Sequence, residues 1–221
     1  MTTLRELRSF VRNLLYDETE WTDSLLNSWI NDAIRDYSNN FPLRIDDDIS
    51  CVTDQREYSL STSTFVGLIS VLLVEYPKDE DPPRYLERRP VTSQQFIDYP
   101  VYDLLDLPPR VLVLGEAPTT GEQITIDYQA LHPELTADTD TCSFPDYHFE
   151  AIKLYTQWQA IKKLELAETK DPTGTTLLTM FGINSVRAER LYRYKIDEYL
   201  EKSAAGGYAG PWVMDGFDRV Y

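Results

Sequence analysis

Residues 21–42 read WTDSLLNSWINDAIRDYSNNFP, and this stretch decides how the fold is assembled. Thr22 or Asp23 can cap a helix, because a side-chain oxygen there accepts a hydrogen bond from a free backbone N–H. Pro42 stops that helix, since proline has no N–H to donate. We therefore predict one amphipathic helix over this stretch. Its apolar face consists of Leu26, Trp29, Ile30, Ala33, Ile34 and Tyr37.

A second helix is predicted upstream, over residues 3–15. An acidic loop at 17–20 separates the two helices. Helices joined by a loop this short form an antiparallel pair. The apolar residues of the upstream helix recur at helical spacing and are Leu4, Leu7, Val11, Leu14 and Leu15.

The last part of the chain predicts two more helices. Asp146 follows Pro145 and can cap a third helix of roughly 24 residues. Its apolar residues step by three, so the stripe moves around the helix and should be contacted on several sides, within one domain or by a neighbouring subunit. Asn184 or Ser185 caps a fourth helix that ends near Ala204. The moving stripe comprises Phe149, Ile152, Tyr155, Trp158, Ile161, Leu164 and Ala167.

Residues 43–131 predict mainly strands. Residues 69–76 have the composition of a buried strand, and residues 57–60 alternate apolar and polar side chains. Two further strands, 110–114 and 123–128, flank a Pro-Thr-Thr-Gly-Glu turn, which favours a hairpin. Exposed loops are expected at 78–83 and 100–109, and residues 92–96 are suited to open a short helix.

These elements predict an α+β fold. It is an antiparallel helical bundle, an N-terminal helix pair plus two long C-terminal helices, with a β-rich middle segment and an extended C-terminal arm. Prolines support this division, because eight of the 13 lie between Pro77 and Pro118, where no long helix is predicted. The predicted domains are the helix pair at 1–42, a β-rich insertion with exposed loops at 43–145, the C-terminal helices at 146–205 and a docking arm at 206–221.

Acidic residues outnumber basic ones by 37 to 21, which gives a formal net charge of −16. This balance argues against phosphate-driven nucleic-acid binding and against an anionic membrane surface, both of which need clustered Lys and Arg. The two cysteines exclude a disulfide-built scaffold and suggest a reducing compartment. Because the N-terminus also lacks the basic start and apolar run of a signal peptide, we expect a soluble, intracellular protein.

Catalytic motifs are missing from the sequence. There is no Walker-type phosphate loop, no zinc motif and no nucleophile elbow, and the only histidines are His132 and His148. His148 is predicted to be a partly buried structural residue. Two acidic clusters are interpreted as solvated turns, Asp46–Asp48 and Glu134 with Asp138 and Asp140. We predict no enzyme, no cofactor and no metal site.

The last 16 residues, 206–221, read GGYAGPWVMDGFDRVY. Glycine at this density cannot form a stable helix, and aromatic residues at this density are not typical of a solvated tail. Trp and Tyr are enriched at the hot spots of binding interfaces. We predict an extended arm that docks in a groove of a partner, and the alternative is a tail packed on its own domain.

Three segments together resemble a known family. The opening LRELRSFVRNLL, the DETE loop and WTDSLLNSWINDAIRDY lead to Phe41-Pro42, FPDYHFEAI follows at 144–152, and the C-terminus is rich in glycine and aromatics. These segments resemble the bacteriophage head-to-tail adaptor proteins, which form the connector ring beneath the portal. Residue-level similarity covers about 4–42 and 144–167, whereas 43–131 departs from the family pattern.

The resemblance implies a structural virion protein at the head-to-tail interface, present in the host cytoplasm during assembly. It implies a twelve-subunit ring that binds the portal protein and the tail nozzle or next connector protein. DNA would pass through the ring without sequence-specific binding, and no membrane is involved.

The resemblance also assigns roles to residues. Subunit contacts would involve Trp29, Ile152, Tyr155, Trp158 and Ile161. The tail would face loops carrying Lys78, Asp79, Asp81, Tyr102 and Asp103. The arm would be anchored in the portal by Tyr208, Pro211, Trp212, Val213, Met214, Phe217 and Tyr221.

Three other classes of function stay open at this point. Another virion connector, such as a stopper or tail-completion protein, differs only in its neighbour. An acidic interaction module or DNA mimic predicts a monomer or dimer that binds a basic partner with strong salt dependence. A metal-dependent hydrolase predicts specific metal binding at one of the two acidic clusters.

Overall fold

The computed structural model describes residues 2–15, 21–61, 64–106, 109–168 and 185–204. Within these residues lie four α-helices and seven strands. The chain divides into two compact units, residues 1–41 with 132–221 and residues 42–131. The first unit is helical, and the second contains two sheets. None of the described helices is long and apolar enough to cross a membrane.

The helical unit is built from both ends of the chain. Its helices are α1 (Leu4–Leu15), α2 (Asp23–Asn40), α3 (Phe149–Glu168) and α4 (Ser185–Ala204), with a 3₁₀ turn at Asp146–His148 before α3. All four helices contribute buried side chains to one core, among them Leu7, Ile34, Ile152 and Ile196. Burial of each such side chain stabilises the fold by about 1.5–3 kcal/mol. Because the buried side chains come from both ends of the chain, neither end completes this core alone.

Local sequence explains where the first two helices begin. Thr3 and Glu6 form a capping box, in which the Thr3 N–H donates to Glu6 Oε2 at 2.8 Å and the Glu6 N–H donates to Thr3 Oγ1 at 3.3 Å. Thr22 Oγ1 accepts a hydrogen bond from the N–H of Leu25 at 3.4 Å, so Thr22 is the cap of α2. At the other end, Pro42 prevents α2 from continuing.

The second unit packs two sheets around one core. Its strands are β1 (Leu43–Ser50), β2 (Glu57–Leu60), β3 (Leu68–Glu75), β4 (Glu87–Arg88), β5 (Val101–Leu105), β6 (Arg110–Leu114) and β7 (Gln123–Ala130). One sheet is antiparallel with the order β1-β7-β3, and the other has the order β2-β6-β5-β4, with β4 parallel to β5. Leu112 and Leu114 of β6 are fully buried together with Ile124 and Ile126 of β7.

The predicted hairpin between residues 110–114 and 123–128 is wrong. These segments are β6 and β7, and they lie in different sheets. Their alternating apolar residues are buried as the pattern indicates, but they contribute to a core shared by the two sheets rather than pairing in one sheet. A period of two identifies the buried face of a strand and leaves its partner unspecified.

Two predictions for the middle segment need correction as well. The exposed loop predicted at 100–109 is wrong over Val101–Leu105, because these residues form β5, whose first two side chains are buried. Residues 92–96 form turns rather than a short helix. Both segments are short and lie in proline- and polar-rich sequence. Too few residues are present there for an alternating or a helical pattern to be recognised.

The predicted fold class is wrong in its description of a bundle with two long C-terminal helices. The structure is α+β with four described helices and seven described strands in two sheets. Helices α3 and α4 have 20 residues each, close to the 18 residues of α2, so no long pair distinguishes the C-terminal part. Helix α3 is shorter than predicted because the 3₁₀ turn occupies Asp146–His148, and it ends at Glu168, upstream of Pro172. Residues 132–145, placed in the β-rich insertion by the sequence, belong to the helical unit.

Candidate functional site

The three aspartates of β1 do not form a common site. Asp47 accepts a hydrogen bond from the Tyr128 hydroxyl at 2.7 Å, whereas Asp48 accepts from Lys78 Nζ and from the Thr125 hydroxyl. The hydrogen bond from Lys78 holds the pKa of Asp48 below its ordinary value. The predicted solvated turn is therefore wrong, because these residues lie on a strand whose neighbouring side chains point to opposite faces.

The second acidic cluster is also occupied by separate contacts. Glu134 and Asp138 form ion pairs with Arg35 and Arg8, respectively. Asp140 accepts two backbone N–H groups of its own loop at 2.7 and 2.8 Å, and these hydrogen bonds lower its pKa. Across the part of the chain that the structure describes, no group of three or more His, Cys, Asp and Glu side chains is arranged to hold a metal ion.

Both histidines lie in an aromatic cluster of the helical unit. The Tyr37 hydroxyl is hydrogen-bonded to Nδ1 of His148, and the His148 ring stacks on Tyr199 with the centroids 4.2 Å apart. His132 Nδ1 lies 2.6 Å from Ser143 Oγ, and its Nε2 lies 2.9 Å from the Phe41 carbonyl oxygen. These contacts join α2, the 3₁₀ turn and α4, so the structural role predicted for His148 agrees with its burial.

Burial sets the charge state of this cluster. It lowers the pKa of His148 to about 4, and it lowers the pKa of His132 as well, partly offset by the hydrogen bond to the Phe41 carbonyl. A buried imidazole is neutral near pH 7 because low-dielectric surroundings disfavour its charged form. The neutral imidazole rings are therefore suited to pack against the aromatic side chains around them.

The residues predicted to form a ring interface occupy two environments. Ile152 and Ile161 are fully buried and Trp29 nearly so, among the helices of their own unit. Tyr155 and Trp158 are half-buried and pack against each other, with ring centroids 5.3 Å apart. Of these five residues, Tyr155 and Trp158 keep surface that a neighbouring subunit can reach. The interface itself stays a prediction.

The five residues predicted to face the tail also lie in different environments. Asp79 and Asp81 are exposed in the turn after β3, and Lys78 pairs with Asp48. Tyr102 lies on β5 with only 5% of its surface exposed, inside the core between the sheets. Asp103 accepts the N–H of Val91 at 2.9 Å. The exposed candidates are therefore Asp79 and Asp81, and their contact with a tail stays a prediction.

The predicted arm lies outside the described residues, which end at residue 204. All of its proposed anchors fall in this part: Tyr208, Pro211, Trp212, Val213, Met214, Phe217 and Tyr221. Their contact with a portal stays a prediction.

Helix α4 has an exposed apolar and cationic face that sequence reasoning missed. Val186 is 54% exposed and Tyr194 is 69% exposed, with Arg190 exposed between them. These three residues are spaced by four, which places them on one side of the helix. The opposite side is buried through Ala188, Tyr192, Ile196 and Tyr199. The spacing by four is visible in the sequence, but it does not show which side of the helix faces solvent.

A second missed surface is the segment between β4 and β5. Phe96 is buried, and the Asp98 N–H donates to the Gly115 carbonyl at 2.9 Å, so the segment is fixed to the end of β6. Ile97 and Tyr99, on either side of Asp98, are 65% and 47% exposed. The segment therefore presents two large apolar side chains to solvent from a fixed backbone.

Comparison with known proteins adds one match. The model of the family described as SU10 adaptor protein matches residues 2–205 of the chain. The match spans the described residues of both units and ends where the predicted arm begins. No curated protein matches the chain.

Gly115 is expected to tolerate no side chain. A Cβ atom there would lie within 3.0 Å of the Phe96 and Tyr99 carbonyl oxygens, and backbone atoms cannot move aside as a side chain can. Gly115→Ala should lower the free energy of unfolding by about 3 kcal/mol, the upper end for overpacking. The control is Gly121→Ala, whose Cβ meets nothing within 4 Å and which should lose about 1 kcal/mol through its positive φ. Equal losses in urea unfolding would contradict the close approach.

His148 is expected to make the protein less stable in acid. The pKa of its imidazole is about 4 in the folded chain against 6.5 when unfolded, so the unfolded state binds the proton first as pH falls. This group should leave stability unchanged above pH 6.5 and remove about 3 kcal/mol between pH 6.5 and pH 4. NMR titration of the two histidines measures the folded pKa directly, and His148→Gln should flatten the stability profile over this range. A His148 pKa near 6.5 would show that the ring is not buried in the cluster.

Proposed function

This chain belongs to the SU10 adaptor protein family, and from that premise we propose that it forms a twelve-subunit ring between the portal and the tail of a bacteriophage virion. The chain is a phage structural adaptor, and a family of structural adaptors points to a role without catalysis. The ring would serve as a conduit for DNA and as a platform for the tail nozzle or the next connector.

The observation that carries this proposal is the extent of the family match. It covers residues 2–205, and so it includes both the helical unit and the two-sheet unit. An adaptor needs one surface for the head and another for the tail, and two compact units are suited to provide separate surfaces. We assign the ring body to the helical unit and the tail-facing surface to the two-sheet unit.

Contacts between subunits are proposed to involve helix α3. Tyr155 and Trp158 are aromatic, half-buried side chains, and Lys162 lies over the Trp158 ring at 5.7 Å from its centroid. Aromatic residues with part of their surface free are enriched at protein interfaces. A neighbouring copy would cover that free surface. Trp29, Ile152 and Ile161 are buried within the subunit, where they hold α3 in position.

Charge is proposed to ease the passage of DNA. Each copy carries a formal net charge of −16, so a ring concentrates negative charge around its channel. Like charges repel at short range, which disfavours adhesion of the DNA phosphates. In the two-sheet unit, Asp79 and Asp81 are exposed acids in one turn, suited to a tail-facing contact with a basic partner.

Docking on the portal is proposed to depend on the arm at 206–221. Its aromatic anchors provide large contact area, and an extended segment becomes ordered when it enters a groove. The family match ends at residue 205, so the arm lies outside the matched part of the chain.

Removal of the arm should abolish binding to the portal. Full-length protein and a truncation after Ala205 are each sedimented with the purified portal complex. We expect stoichiometric co-sedimentation of the full-length chain and its loss on truncation, because the aromatic anchors are gone. Trp212→Ala with Phe217→Ala in the full-length chain should weaken binding without changing chain length.

Two other outcomes have different meanings. Binding that survives truncation would keep the adaptor and move the anchor to the helices. No binding by either form, with both folded, would contradict the portal role and favour a connector that acts elsewhere in the virion.

A further inference from the structure

Helix α4 presents a stripe of large exposed side chains to solvent. A helix turns by about 100° per residue, so five of them lie within an arc of about 80° on the side opposite the buried Tyr192. Tyr194, at 69%, is the most exposed of the large hydrophobic side chains that the structure describes. We call these residues the α4 stripe: Arg187, Arg190, Tyr194, Asp197 and Glu201.

The charges of the α4 stripe are divided along the helix. Its N-terminal half carries Arg187 and Arg190, its C-terminal half carries Asp197 and Glu201, and Tyr194 lies between the two halves. A helix whose outward charge changes sign halfway along is complementary to a second copy of itself that runs in the opposite direction. Such self-complementarity is what an interface with two-fold symmetry requires.

Three of these charges are open to a partner. Within the part of the chain that the structure describes, no ion pair engages Arg190, Asp197 or Glu201. The ion pairs on α4 are made by residues outside the stripe, namely Glu189, Arg193, Lys195, Glu198 and Lys202. A second copy can therefore pair with the stripe without breaking these contacts.

We propose that two copies of the free chain associate through an antiparallel pair of α4 helices, with the two-fold axis at Tyr194. A helix rises about 1.5 Å per residue, so Arg190 lies about 6 Å before Tyr194 and Asp197 about 4.5 Å after it. In the pair, Arg190 and the Asp197 of the second copy therefore differ in level by about 1.5 Å. Arg187 and the Glu201 of the second copy come to the same level, and the symmetry repeats both pairs.

Charge selects both the occupant and the direction. A parallel pair would place Arg190 beside Arg190 and Glu201 beside Glu201, and like charges at close range repel. A partner of one sign would match one half of the stripe and repel the other half. The surface that matches both halves is the same stripe in reverse, which a second copy of the chain supplies.

The apolar part of the face makes the contact reversible rather than permanent. Tyr194 lies at its centre and belongs to a residue type that is enriched at binding hot spots. Val186, 54% exposed, and Leu191, 42% exposed, flank the stripe and would be partly covered. One helix from each copy provides an area near the lower limit for specific interfaces, about 1,000–1,200 Å² in total. We expect a dimer that forms at high concentration and dissociates on dilution.

This contact is separate from the ring contacts proposed for α3. A two-fold interface closes on two copies and cannot continue around a ring. It concerns the free chain before assembly, where it would shield Tyr194 from solvent. Its test therefore uses the chain alone, and its failure would leave the portal and ring proposals standing.

Two charge reversals test the contact in the full-length chain. Sedimentation velocity over a range of concentrations measures the dimer, at about 0.15 M salt, which screens the repulsion between whole acidic chains. Arg190→Glu and Asp197→Arg should each raise the dissociation constant about tenfold, because each turns two attractive pairs into repulsive ones. Arg5→Glu, at an exposed residue of α1, is the matched control and should leave the dimer unchanged.

Mixing the two variants provides the decisive readout. In a dimer that takes one chain of each variant, both contacts are complementary again, so the equimolar mixture should dimerise as tightly as the unchanged chain. Circular dichroism checks that every variant is folded. A mixture that does not recover would overturn the proposal, because the charges would then act within their own chain. A monomer at every concentration, or association of any size that neither reversal weakens, would overturn it as well.

Discussion

The helical unit depends on the contact between Tyr37 and His148. Their side chains are hydrogen-bonded although they stand 111 residues apart, and Tyr199 stacks on the same imidazole. The contact joins α2, from the N-terminal part of the chain, to the turn before α3 and to α4. All of residues 42–131 lies between the two partners, so the helical core closes only when the chain returns from the second unit. The cost of closing so long a loop grows only slowly with its length, which makes such an insertion tolerable.

The sequence predicts elements where a local cause acts. Helices α1 and α2 follow from apolar spacing, a capping threonine at Thr22 and the stop at Pro42, each of which acts within a few residues. Strand partners depend on distant residues instead. Leu112 and Ile124 have the expected alternation, yet their strands belong to two sheets, because alternation specifies a face and not a neighbour.

The candidate surfaces were less predictable for a related reason. A structural adaptor needs no catalytic motif, so its sequence offers only composition and resemblance. Burial then divides residues that look equivalent in sequence: Ile152 and Trp158 belong to one stripe, but Ile152 fills the core and Trp158 keeps free surface. The outward stripe of α4 was visible as spacing by four, but only the buried position of Tyr192 shows which side of the helix faces solvent.

The most direct measurement is a cryo-electron microscopy structure of the chain assembled on its purified portal. We expect a ring of twelve copies, with the helical units side by side and density for residues 206–221 on the portal. A different copy number, or arms that point away from the portal, would contradict it.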